Sequence, residues 1–226
     1  MLRTLTGALV ALALAATAMA GEFNDKKLRF RMSVPDGWTN GPLPVEEMAA
    51  NLGSPRVLVT GGNCNVGALA NGAQSLSQEQ LEQAVSGQFT EAFWKAAFAG
   101  IKLYKTTTID KFGDRQQRGR KVFFVKTTST AEVEGMQLSV TQAMDVHVTP
   151  GFTFTVTCSA LTEAFEAEAA DFDTIMLSFE PTPQLTVADA VVRMRIDPAT
   201  LRTQVQKVTT DAAAAGLART AHKRAH

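Results

Sequence analysis

Histidine, cysteine and net charge are all scarce in this chain, and each shortage closes off a class of function. Only three His and two Cys occur among 226 residues, and none stands in the spacing of a zinc site. No Asp/Asn loop of calcium-hand form appears either. No metal or cofactor is therefore expected. Lys plus Arg equals Asp plus Glu, 22 against 22, so the chain lacks the global field that suits nucleic acid. Nucleotide binding has no support, because no glycine-rich loop leads from a strand into a helix. The nearest candidate, Gly61-Gly62-Asn63-Cys64-Asn65, is too short and has no Lys. Beyond the N-terminus no apolar run is long enough to span a bilayer.

What is present begins with an export signature. Arg3 precedes a Leu- and Ala-rich run ending in Ala18-Met19-Ala20, the charged region, apolar core and small-residue cleavage site of a secretory signal peptide. Residues 1–20 are expected to be removed, since the run from Leu5 to Ala20 is shorter than the roughly 20 residues of a spanning helix. The roughly 200 residues that follow suffice for one good core. They divide into a domain at 21–181 and a C-terminal helical extension at 182–226. The product is expected in the periplasm or secreted. Two cysteines in such a chain predict one disulfide, Cys64 to Cys158, which would stabilise by up to about 4–5 kcal/mol in the chain-entropy model. The alternative is a pair of buried free thiols. No His or cation neighbours Cys64 to activate it.

The stretch from Lys121 to Phe179 carries the clearest pattern. Leu138, Val140, Met144, Val146 and Val148 share one parity, while Ser139, Thr141, Asp145, His147 and Thr149 share the other. That is a strand with one apolar and one wet face. Pro150-Gly151 reverses it into Phe152, Phe154, Val156 and Cys158, which alternate with threonines. From Leu161 the spacing of Phe165, Phe172, Ile175, Met176 and Phe179 is helical, with Thr162 as N-cap. Upstream, Leu28 to Pro35 reads as a strand that the proline ends, with Trp38 plugging the core. Thr39 to Pro55 reads as loop and Arg56 to Thr60 as a strand. Ser77 and Gln80 form a capping box for one helix that runs to Gly100 on Leu81, Val85, Phe89 and Phe93. A turn at Phe112-Gly113-Asp114 is expected between strands. The fold class is α+β: a mainly antiparallel sheet of about six strands with helices packed on it.

The run Phe30-Arg31-Met32-Ser33-Val34-Pro35-Asp36-Gly37-Trp38, a helix ahead of a long meander, and a closing helix ending Met176-Leu177-Ser178-Phe179 resemble the PsbP-like α/β/α sandwich. That superfamily includes photosystem accessory proteins and bacterial envelope proteins of the DcrB type. The resemblance covers about Phe23 to Phe179 and implies a largely non-catalytic role. The tail departs from it. There Asp197-Pro198 starts a helix whose narrow seam, Leu201, Val205 and Val208, needs a partner: the domain, a second copy, or none if mobile.

Four sets of residues could carry chemistry. Asp145 and His147 share the polar strand face, where a carboxylate could orient an imidazole. Ser139 stands about 27 Å along the strand from His147, too far for a triad. Arg115, Arg118, Arg120 and Lys121 cluster at a hairpin tip that could dock an anionic partner or lipid headgroup. Glu163, Glu166, Glu168, Asp171 and Asp173, with Glu132 and Glu134, are the carboxylates available to a cation, and read more simply as a solvated helix face. Leu201, Val205 and Val208 are the self-association candidate. The leading reading is an exported, non-enzymatic envelope module that binds a protein partner or small ligand. The alternative is a hydrolase or isomerase built on Asp145 and His147. An open cleft around those two side chains would favour catalysis, and a helix laid over them would favour binding.

Overall fold

The computed structural model describes residues 18–43, 47–133 and 135–182. Strands β1 (Ala18–Asp25), β2 (Phe30–Asn40), β3 (Met48–Gly53) and β4 (Asn63–Ala70) come first. β5 (Tyr104–Gln117), β6 (Arg120–Val133), β7 (Met136–Thr149) and β8 (Phe152–Leu161) follow, and β9 (Glu180–Pro181) is the last strand among the described residues. The helices are α1 (Val57–Thr60), α2 (Gln78–Val85), α3 (Glu91–Ala99) and α4 (Phe165–Ser178). All strands form one antiparallel sheet in the order β1-β2-β3-β4-β8-β7-β6-β5, with β9 beside β2. An N-terminal meander and a C-terminal one therefore meet along a single seam, β4 against β8. Helices α2 and α3 cover Phe123, Val125, Met144, Val146 and Val148 on one face. On the other, α4 packs Phe165, Phe172, Ile175 and Met176 onto β2, β4 and β8. None of these helices is long and apolar enough to cross a membrane.

Among the described residues nine strands replace the expected six or so. β3 lies in the stretch read as loop; all six of its residues are buried, so no polar alternation marks it. Arg56 to Thr60 is not a strand. It winds into α1, which Gly61 ends at φ 69° in the left-handed region. Nor does Pro35 end β2, because the pairing with β1 shifts between Met19 and Gly21. The resulting bulge accommodates a residue with no N–H to offer. Similarly, Phe112-Gly113-Asp114 continues β5, and the reversal falls at Arg118-Gly119, with φ 51° and 75°. Positive φ at both central residues suits a two-residue hairpin turn.

The single helix expected from Ser77 to Gly100 is two. Its capping box is present, Gln80 N–H donating to Ser77 Oγ at 3.2 Å and Ser77 N–H to Gln80 Oε1 at 2.9 Å. Gly87, at φ 77°, then interrupts the helix, and Thr90 caps α3. Thr162 does not cap α4, because its hydroxyl is engaged with Ser139 at 2.8 Å and Thr141 at 3.1 Å.

The hairpin of β7 and β8 holds the main surprise. Its two-residue turn pairs odd positions with even ones, Val146 with Thr155 and His147 with Phe154. The apolar sides of the two strands therefore face opposite ways: Val146 toward α2 and α3, Phe154 toward α4. The supposedly wet side of β7 is buried. Asp197-Pro198, Leu201, Val205 and Val208, the basic C-terminal residues Arg219, Lys223 and Arg224, Glu134 and residues 1–17 lie outside the described residues.

Candidate functional site

Cys64 and Cys158 sit directly opposite each other on β4 and β8, with Cα atoms 4.0 Å apart, and are joined as a disulfide. Both lie at 0 % exposure in the core beneath α4. This bond is compatible with an oxidising compartment.

Asp145 and His147 share the face under α4. Asp145 is fully buried, and Arg115 reaches it from β5 with both terminal nitrogens, Nη1 donating to Oδ1 at 2.9 Å and Nη2 to Oδ2. Bidentate pairing of this kind gives a carboxylate its best partner. Burial pushes the Asp145 carboxyl up to about 6, against the opposing pull of Arg115. His147 packs its ring 4.7 Å from Phe179, and Nε2 makes no hydrogen bond. Burial, with Arg115 and Arg120 nearby, holds the imidazole neutral down to about 3. Beside this group a groove of about 460 Å³ runs between α4 and β5–β6, lined by Lys111, Arg115, Phe124, Lys126, Asp145 and Asp173 among others.

The basic residues of the hairpin tip are divided among separate partners. Arg115 is committed to Asp145. Arg118 donates to Glu180 at 2.6 Å, and Arg31 donates to the same carboxylate at 2.9 Å. The hydrogen bond and charge of Arg31 draw the Glu180 carboxyl below its ordinary range. Arg120 donates to the Pro181 carbonyl at 2.7 Å, and Lys121 Nζ lies 3.9 Å from Asp114. Gln117 turns its amide onto the carbonyls of Met176, Leu177 and Phe179. Together these contacts hold β9 and the end of α4. Glu180 is the residue that sequence reasoning missed, and its charge beside Pro181 was the available signal.

The helix carboxylates also disperse. Glu168 is fully buried and accepts from Ser54 Oγ at 3.0 Å and Thr60 Oγ1 at 2.7 Å, with Arg56 at 3.2 Å. Asp171 accepts from the Trp38 indole at 2.9 Å, and Glu166 pairs with Lys126. No group of three or more ligands suited to a metal occurs among the described residues.

A second cavity, of about 250 Å³, opens at the Pro150-Gly151 end of the sheet. Leu28, Leu76, Pro150, Phe152 and Phe154 line it, with Thr149 and Thr182 at its polar edge and Arg120 as its one charged wall residue. Burial lowers the Arg120 pKa against the opposing fields of Glu180 and Glu82. The Pro181 carbonyl takes one of the five N–H donors that a guanidinium offers.

On the sheet face turned away from α4, a polar row crosses the seam: Asn51 opposite Asn65, Asn65 opposite Thr157, and Asn63 opposite Ser159. All are buried. Asn63 Oδ1 accepts from Ser159 at 2.6 Å. Both side-chain polar atoms of Asn65 and the hydroxyls of Thr155 and Thr157 have no hydrogen-bond partner.

No protein-family model matches the chain, and no curated protein matches it by sequence. Solved structures do. Cyanobacterial PsbP (CyanoP) from Synechocystis sp. PCC 6803 is 12% identical over 78% of this chain and 99% of that one, with a TM-score of 0.45. LpqN, involved in cell envelope biogenesis of Mycobacterium tuberculosis, is 13% identical over 68% and 83%, with a TM-score of 0.40. A Mog1 variant is 11% identical over 72% and 96%, with a TM-score of 0.45. With identities of 11–13% and TM-scores below 0.5, these are weak, fold-level likenesses and nothing more.

Proposed function

We propose that this protein is an exported, non-enzymatic module of the cell envelope that binds a small ligand in the cavity at the Pro150-Gly151 turn. One observation carries the reading: a concave, mainly apolar site with one well-placed charge, the composition of small-molecule pockets in general. The disulfide supports export, because such bonds persist outside reducing compartments. Cleavage after Ala20 would remove the pairs Ala18↔Thr39 and Met19↔Trp38 and keep those from Gly21↔Val34 to Asp25↔Phe30, most of the β1 edge.

The burial of Asp145 and His147 under α4 supports binding over hydrolysis or isomerisation. Of the two, only Asp145 lines the groove beside α4, where Arg115 holds its carboxylate, and the buried neutral imidazole of His147 is not part of that lining. Native mass spectrometry of protein recovered from the envelope fraction tests the proposal. A mature chain starting at Gly21 should carry a small molecule that Leu76→Trp, which fills the cavity, displaces. Equal retention of that mass by the filled variant, or recovery of the chain only from the cytoplasm, would overturn it.

A further inference from the structure

The chemistry of the cavity wall narrows the ligand, on the assumption that the pocket reading above holds. Five apolar side chains, Leu28, Leu76, Pro150, Phe152 and Phe154, make most of the surface. They favour a hydrocarbon or aromatic body, because burying apolar area is what such a wall rewards. The volume of about 250 Å³ holds roughly eight water volumes at about 30 Å³ each, so the body is small. Against this wall stands one guanidinium. Arg120 is half-buried and anchored through Pro181, and no carboxylate lines the cavity to neutralise it. A planar fork with free N–H donors matches a carboxylate. A dianionic phosphate would need more positive charge than one residue supplies; a cationic ligand would be repelled by the guanidinium, and a neutral one would leave its remaining N–H donors facing apolar surface, with only the more distant Glu180 and Glu82 to offset the charge. Ser77 and Gln78 also line the polar edge, Gln78 Nε2 donating to Glu82 and to the Val148 carbonyl at 2.9 Å while its Oε1 has no hydrogen-bond partner; Thr149 donates to the Phe152 carbonyl at 2.8 Å and Thr182 to the Arg29 carbonyl at 2.6 Å. Their hydroxyls therefore add acceptor lone pairs only.

We infer that the cavity binds a small monocarboxylic acid with an apolar body, its carboxylate on Arg120 and its hydrocarbon or aromatic part against Phe152, Phe154 and Leu76. Medium-chain fatty acids and arylacetic acids share this chemistry. Titration of the full oxidised chain, followed by amide shifts at Thr149, Phe152 and Thr182, distinguishes them, with octanoate, phenylacetate, octanol and octylamine as probes. One or both acids should bind at least tenfold more tightly than the alcohol and the amine. Arg120→Gln should weaken acid binding at least tenfold, and Arg120→Lys should restore part of it. Because Arg120 also holds Pro181, Leu76→Trp serves as a second variant: it should abolish acid binding with Arg120 intact. If octanol binds as tightly as octanoate, or Arg120→Gln leaves acid affinity unchanged in a folded protein, the ligand class is wrong while the pocket stands. If none of the four probes shifts those amides, the pocket reading itself fails.

Discussion

Arg115 and Asp145 stand thirty positions apart in the chain yet form the most deeply placed ion pair among the described residues, the guanidinium side chain 29% exposed and the carboxylate 1%. Removing one partner strands the other. Asp145→Asn is expected to cost about 3 kcal/mol, the lower end of the range for a broken buried pair because Arg115 keeps some solvent contact. The double variant Arg115→Met/Asp145→Leu should recover most of that loss in urea unfolding. His147 makes a separate prediction. Its folded value, about 3, lies below its ordinary 6.5, so the unfolded chain binds the proton first and stability drains away as pH falls through that window. Asp145 works in the opposite sense between its ordinary 3.8 and about 6. Comparing wild type with His147→Phe isolates the imidazole: the variant should gain relative stability as pH drops from 6.5 toward 3, by about 1.4 kcal/mol per pH unit at most. A flat difference across that range would show that His147 titrates as in water. The polarity of these two positions was plain in the sequence. Their burial was not, because it depends on the odd-to-even pairing across Pro150-Gly151, and Arg115 was hidden as a partner by bulges in β5 near Tyr104 and Ile109.

At the scale of elements, α4 is positioned from three sides: by Glu168 on Ser54, Thr60 and Arg56, by Asp171 on Trp38, and by Gln117 at its final carbonyls. The first contact leaves no spare room. A Cβ at Gly62 would come within 2.8 Å of Glu168 Cδ and 3.0 Å of Thr60 Oγ1. Since Glu168 is fully buried and held by its hydrogen bonds, Gly62→Ala should cost about 1–3 kcal/mol as overpacking, measured by thermal or chemical unfolding. Ordinary stability in that variant would mean that α4 can slide. The legibility of elements followed local chemistry. The capping box at Ser77 and Gln80 could be read directly, whereas the break at Gly87 could not, because Leu81, Val85, Phe89 and Phe93 keep helical spacing across it. β3 carried no period because neither of its faces is wet.

Across the whole molecule, the sheet spends its apolar side chains under the helices and leaves the buried row of Asn51, Asn63, Asn65, Thr155 and Thr157 poorly bonded. An unpaired buried hydroxyl costs about 1–3 kcal/mol, so Thr157→Val, nearly the same shape, should raise the unfolding free energy by up to about 1 kcal/mol. A loss of stability would mean that this hydroxyl is bonded after all. The same row borders the seam where the two meanders join, and there the Cys64–Cys158 bond spans a separation of 94 residues. A protease that cut the link from Ser86 to Thr90 would therefore release nothing: the two fragments would migrate as one species until a thiol reagent parted them. A chain welded at its seam in this way can be clipped in a surface connection and still present an unbroken sheet.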